Sequence, residues 1–410
     1  MNNKPGTRNQ PGKTSTARII IYLVALLCSI SFIVTAMGAI NKNSSYLKSL
    51  KPYEMEQLDV SERAINTRGL PTIFVSIAAY RDPQCMYTLL WALKQAKYPE
   101  RVFFGIVQQN HPDMDVDCLS VSLEGGQSAK EAELLIKYRK QIRMLRVSYL
   151  DARGPAWARY KVIHELFKKE DYVLQVDSHT RFVPNWDEAI LNNIKQLPEK
   201  SAISHYPSVF DPRENSNGLP NDYEKVIARM CKGFYNGDGI LQPVAGLMGL
   251  DKKESKSCPF LGAGFTFYPG IVHDEIQMDP FLPYLFHGEE LLFSMRLVSK
   301  GYKFYSPAEN IVFHFYYRKD FPKYWDLSSI YPDYSQLQRY SLQRTKYIIG
   351  MLDHNQVENA TWTLQEIDKY GIDWKDEEVK KRMDRYFEVF EIDLKNQKMG
   401  DFCGKGLPDW

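Results

Sequence analysis

Asp177 and His179 stand two positions apart in "YVLQVDSHTRF", at the end of an apolar run. Val173, Leu174 and Val176 read as a buried strand. In an extended chain positions i and i+2 face the same side, so a carboxylate and an imidazole could grip one metal ion together. The other reading makes Asp177 a helix cap and His179 a surface residue; this stretch alone leaves both open. A second polar cluster, Tyr80-Arg81-Asp82, ends the apolar run "PTIFVSIAAY". In "FLGAGFTFYPG", Gly262 and Gly264 permit close backbone approach, but no Gly-Lys-Ser/Thr follows, so this is not a P-loop. Glu289 and Glu290 open a helix, where the dipole favours acids in any case. His314 sits in the apolar "NIVFHFYYR", where a core histidine is the plain alternative to a ligand.

These residues need elements to hold them. "PTIFVSIAAYRD" reads as a strand, and "CMYTLLWALKQAKYP" spaces Met86, Leu89, Leu90 and Leu93 as a helix does, stopping near Pro99. "RVFFGIVQQN" is a second strand and "QIRMLRVSYL" a shorter third. "GPAWARYKVIHELFKKE" is helical after Pro155, "DYVLQVDSH" is a fourth strand, and "NWDEAILNNIKQL" is a helix. Strands alternating with helices predict βαβ units and a mostly parallel sheet. Ligands then bind beyond the carboxyl ends of the strands, where Tyr80-Arg81-Asp82 and Asp177-Ser178-His179 both fall. Residues 211–257, rich in Gly, Asn, Asp and Pro, read as long loops with short elements. "HGEELLFSMRLVSKGYKFYSP" is a helix stopped at Gly301. The segment after about Asp320 reads as mostly helical.

A chain of 410 residues has room for one large domain or two smaller ones. Its formal net charge of +2 lacks the electrostatic footprint expected for nucleic acid. Ile19–Ile40 carries no charge and matches the roughly 20 residues that span a bilayer. Lys4, Arg8, Lys13 and Arg18 precede it without an acid, which predicts a cytoplasmic tail (1–18), a signal anchor (19–40), a stem (41–70) and a lumenal remainder. A cut after Gly38, at a small-x-small pattern, is the alternative. Five cysteines lie beyond the anchor, and an oxidising lumen favours pairing; proximity suggests Cys85 with Cys118 and Cys231 with Cys258. Asn43-Ser44-Ser45 and Asn359-Ala360-Thr361 are N-glycosylation sequons.

"IFVSIAAYRDPQCMYTL", "RGPAWARY", "LQVDSHTRFVPNWD", "FLGAGF" and "HGEELLFSMRLVSKGY" together resemble the polypeptide N-acetylglucosaminyltransferase family, whose members include the Skp1-hydroxyproline GlcNAc-transferases. The resemblance runs from about Pro71 to about Arg318. It implies a GT-A fold, a Rossmann-like α/β sheet with a metal site at its rim, over residues 71–320, with 321–410 as a helical extension. It implies a retaining enzyme that moves GlcNAc from UDP-GlcNAc to a Ser/Thr or hydroxyproline hydroxyl of a protein. By position Asp177 and His179 match the metal motif. His314 matches the late histidine of the more distant polypeptide GalNAc-transferases. Mixed carboxylate and imidazole ligands point to Mn²⁺. The same resemblance puts Tyr80, Arg81 and Asp82 near uridine and ribose, and Arg153, Trp157 and Arg159 near the pyrophosphate. It puts Gly262 and Gly264 at the sugar, and Glu289 or Glu290 at the sugar or acceptor. The anchor and sequons depart from a cytoplasmic Skp1 modifier and favour a Golgi or ER membrane enzyme acting on secretory proteins. A non-catalytic GT-A-like binding protein, or a transferase of another sugar such as GalNAc, are the alternatives.

Overall fold

The computed structural model describes residues 69–120, 129–211, 219–220, 223–250, 254–408 and 410. The tail, the anchor Ile19–Ile40, the sequon at Asn43 and nearly all of the stem lie outside them. Among the described residues no helix is long and apolar enough to cross a membrane.

Four strands carry the first half of the chain: β1 (Ile73–Tyr80), β2 (Val102–Asn110), β3 (Ile142–Ser148) and β4 (Tyr172–Asp177). Then come β5 (Thr180–Phe182), β6 (Ser201–Ser204) and β7 (Ser208–Val209). A hairpin of β8 (Val226–Tyr235) and β9 (Leu241–Gly249) precedes β10 (Lys256–Ser257) and β11 (Phe265–Pro269). The last two are β12 (Lys303–Ser306) and β13 (Val312–His314). The main sheet runs β10-β12-β6-β11-β4-β1-β2-β3, and a small sheet runs β5-β13-β7. β1 to β4 pair in parallel, as alternation with helices predicts, whereas β11 lies antiparallel to both β4 and β6. The sheet is therefore mixed rather than mostly parallel.

Both faces of the main sheet are covered, so its central strands are apolar on both sides. Along β1, Phe74 points into one core, while Ile73, Val75 and Ile77 point into the other. The second core is closed by α1 (Cys85–Gln95) through Leu89 and Leu93, and by Ile190 and Leu191 of a helix at Trp186–Lys195. The first is closed by α2 (Glu289–Ser299) through Met295, and by Ile348 of α3 (Tyr334–Ile348) and Met383 of α4 (Glu377–Val389). Gly301, at φ +88°, ends α2 as its position suggests.

Two expectations need correction. The described part of residues 211–257 is not mainly loop: the hairpin β8–β9 fills much of it. Its turn begins at Asn236-Gly237, a hairpin signal, but Pro243, Gly246 and Gly249 blur the apolar alternation of β9. Cys85 does pair with Cys118, but Cys231 pairs with Cys403, leaving Cys258 buried as a free thiol. The C-terminal segment folds back on β8, where the Phe402 amide donates to the Cys231 carbonyl at 2.9 Å. Closeness in sequence was thus the wrong guide to that pair.

Candidate active site

β4 delivers Asp177 to the rim of the sheet, and a tight turn leads at once into β5. The Thr180 hydroxyl donates to the Asp177 carbonyl at 2.7 Å. From α1, the Thr88 hydroxyl donates to the Ser178 carbonyl at 2.8 Å and accepts from the Thr180 amide at 2.9 Å. The turn is thus fixed to the helix beneath it. β13 pairs with β5 and sets His314 opposite Thr180. One ligand atom each from Asp177, His179 and His314 falls within 4.8 Å of the others.

His314 Nε2 lies 3.0 Å from Asp177 Oδ2. Ligands at about 2.1 Å from an octahedral ion stand about 3 Å apart at adjacent corners, so this spacing suits a shared cation. His179 Nδ1 lies 2.7 Å from Asp82 Oδ2, which leaves Nε2 for an ion. A carboxylate behind a ligating imidazole fixes its tautomer and orientation. Burial lowers the pKa of His179 to about 4 despite Asp82, so the ring is neutral, as a ligand must be. A Cβ added at Gly264 would stand 3.2 Å from Asp177 Oδ2 and 3.8 Å from His314 Cδ2, so only glycine leaves that corner open. The donor set therefore fits a divalent ion.

Charge around the triad is tightly paired. Burial works against ionisation of Asp177, but His314 and Arg159 outweigh it and hold the carboxyl well below the usual carboxylate range. Arg159 bridges Asp177 Oδ1 at 2.9 Å and Glu289 Oε2 at 2.6 Å. Asp82 is buried, yet His179 and Arg318 keep it ionised; Arg318 Nη2 lies 3.2 Å away. Glu290 accepts from the Tyr206 hydroxyl and from the Ala263 amide, each at 2.7 Å. Burial outweighs these bonds and pushes its pKa up to about 7.

A cavity of about 530 Å³ opens over this cluster. Tyr80, Arg159, Asp177, His179, Gly264, Glu289, Glu290 and His314 all line it. Asp82 stands behind His179. Gly262 lies under Tyr206, whose ring a Cβ there would meet at 2.8 Å. Arg81 points elsewhere, pairing with Asp115 at 2.7 Å and lying over the Tyr149 ring. Arg153 turns towards Tyr284, and Trp157 packs against the core. The wall also includes Tyr206, Tyr316, Arg318, Lys323 and Trp325, which sequence reasoning did not single out. Arg318 alone had a signal, as the cation ending "NIVFHFYYR".

A family model described as Glycosyltransferase (GlcNAc) matches residues 72–136 and 120–396. The chain belongs to this GlcNAc glycosyltransferase family. The matched residues include Asp82, Asp177, His179 and His314, so the triad and its support lie within the family region. No curated protein matches the chain. Among solved structures the chain is similar to GalNAc-T7 with UDP, GalNAc and Mn²⁺ (15% identity, TM-score 0.46), covering 74% of this chain and 59% of that one. The chain thus spans about three-fifths of that structure. It is also similar to S. aureus TarS 1-349 with UDP-GlcNAc (15% identity, TM-score 0.39, 77% and 73% covered). A third likeness is mannosyltransferase PcManGT from Pyrobaculum calidifontis with GDP-Man and Mn²⁺ (12% identity, TM-score 0.36, 91% and 93% covered).

Proposed function

We propose that this GlcNAc glycosyltransferase moves GlcNAc from UDP-GlcNAc to a Ser/Thr or hydroxyproline hydroxyl of a protein, with retention at the anomeric carbon. The supporting observation is the Asp177–His179–His314 triad, backed by Asp82, at the floor of a pocket in a chain of this family. Asp177, His179 and His314 would hold a divalent ion, Mn²⁺ by their mixed chemistry, which would supply positive charge to stabilise the departing UDP. Asp82 holds the His179 ring with Nε2 inward. Arg159 keeps Asp177 ionised and ties it to Glu289, on the first turn of α2. Arg318 and Lys323 add positive charge to the wall where a diphosphate would lie. The bond from the sugar carbon to phosphate oxygen breaks, and the bond to the acceptor oxygen forms on the same face. The acceptor proton passes to the departing diphosphate.

The compartment is part of the same proposal. The apolar segment Ile19–Ile40 would anchor the chain in a Golgi or ER membrane with the transferase in the lumen. Two disulfides and an exposed Asn359 at a sequon are consistent with that setting.

The test is UDP release by the purified chain from a panel of UDP-sugars, with Mn²⁺ or EDTA and with Ser/Thr peptides. Mn²⁺-dependent use of UDP-GlcNAc is expected. Asp177→Ala should lower the rate by about a hundredfold or more, since removing a ligand or its support costs 10–100-fold or beyond. A near-normal rate in folded Asp177→Ala would remove the triad from the chemistry, and exclusive use of UDP-GalNAc would overturn the sugar assignment.

A further inference from the structure

A second cavity, of about 540 Å³, lies against the first. Tyr206, Pro207, Pro243 and Tyr316 line both. The partition is one layer of side chains. The Tyr316 ring lies 4.1 Å from that of His314, and its hydroxyl donates to the Pro207 carbonyl at 2.9 Å. Tyr206 reaches through to Glu290. Whatever occupies the second cavity therefore runs within one residue of the reaction centre.

Among the described residues its lining carries no charged side chain. Leu247, 72% exposed, and Val209, 45% exposed, both line it. Together with Val226, Val244 and Pro243 they make this groove mainly apolar, the surface character of a site that binds a partner. Val209 and Leu247 stand on strands with an open side among the described residues: β7 is the outer strand of the small sheet, and β9 pairs only with β8. Such edges offer backbone amides and carbonyls to an extended chain.

We propose that this groove is the acceptor subsite, and that it holds an extended, uncharged, apolar stretch of the polypeptide flanking the modified hydroxyl. The occupant follows from three observations. The groove continues the donor pocket, so an acceptor hydroxyl reaching the sugar must carry its neighbours over this surface. The described lining offers Asp, Glu, Lys or Arg of an acceptor no charged partner, and would leave them desolvated and unpaired. The open strand edges match the hydrogen-bonding pattern of a polypeptide rather than of a glycan. This inference rests on the polypeptide-acceptor reading above.

The test uses the full chain with Mn²⁺ and UDP-GlcNAc, and Thr peptides whose neighbours are Val, Leu and Pro or Asp and Lys. Leu247→Asp and Val209→Asp lie on exposed side chains, so both should fold. Apolar-flanked peptides should be preferred. Each variant should raise their KM by about tenfold, the loss of one buried apolar side chain. UDP release to water, without peptide, and the KM for UDP-GlcNAc should stay unchanged. Peptide KM values within twofold of wild type in both variants would overturn the groove while leaving the donor reading intact. So would a concentration-dependent dimer that Leu247→Asp breaks without altering peptide KM, since a second copy would then be the occupant. A wild-type chain that releases no UDP from UDP-GlcNAc would overturn the donor reading and the groove with it.

Discussion

Glu290 is held in a state that its chemistry alone would not choose. Burial raises its pKa from 4.5 to about 7, although Tyr206 and the Ala263 amide both favour the carboxylate. A raised folded-state pKa means that the native protein binds this proton more tightly than the unfolded chain does. The stability it contributes is complete below pH 4.5 and is lost as pH rises through about 7. Glu290→Gln keeps an acceptor without the charge, so it should remove that slope. Denaturant unfolding at pH 5 and pH 8 should show wild type losing up to about 3 kcal/mol more than the variant. Equal slopes would mean that water or an internal rearrangement relieves the carboxylate. Glu290 was legible as an acid at a helix start, but its raised pKa was not, because burial, its largest cause, is a product of the fold that brings Tyr206, 84 positions away, over it. The same limit applies to Asp82. Its place at a strand end could be read, whereas its bond to His179, 97 positions on, is a product of the fold. Arg81 shows the converse: a cation at the rim in sequence, it is turned outward by Asp115.

Among the elements, the hairpin β8–β9 has the most to do with both cavities, since Pro243 lines each of them. The Cys231–Cys403 bond fastens it to the C-terminal segment and closes a loop with a sequence separation of 172. Cys403→Ser should therefore cost about 2–5 kcal/mol, chiefly by freeing the unfolded chain. The unfolding midpoint should fall, with no change in Cys85–Cys118. An unchanged midpoint would show that the packing of Phe402 and Trp410 already holds the segment in place. The parallel half of the sheet was legible because its strands are continuous apolar runs divided by helices. β11 lies in "FLGAGFTFYPG", which was read for its glycines and not as a strand, and nothing local told its direction. The hairpin was hidden because β9 is only half-buried, so its pattern carries little apolar periodicity.

At the scale of the molecule, the catalytic half and the helices after residue 320 share one core. Ile348, Met383, Tyr386 and Phe390 belong to the same cluster as Met295 and Phe304. Arg344, fully buried, joins Asp279 at 2.7 Å and the carbonyls of Thr363 and Gln365. Pro322, Lys323, Tyr324 and Trp325 also close one side of the active-site cavity. A chain ending at Asp320 should lose cooperative unfolding, because it would expose that apolar face and strand the Asp279 carboxylate. A truncated chain that unfolds cooperatively and binds Mn²⁺ would show that the helices are dispensable. The triad itself unites two sheets, with Asp177 from the large one and His314 from the small one. An ion there would act as a rivet through the seam between them. Its affinity would then serve as a strain gauge: distant substitutions that shift the small sheet by a fraction of an ångström should loosen the metal well before they unfold the protein.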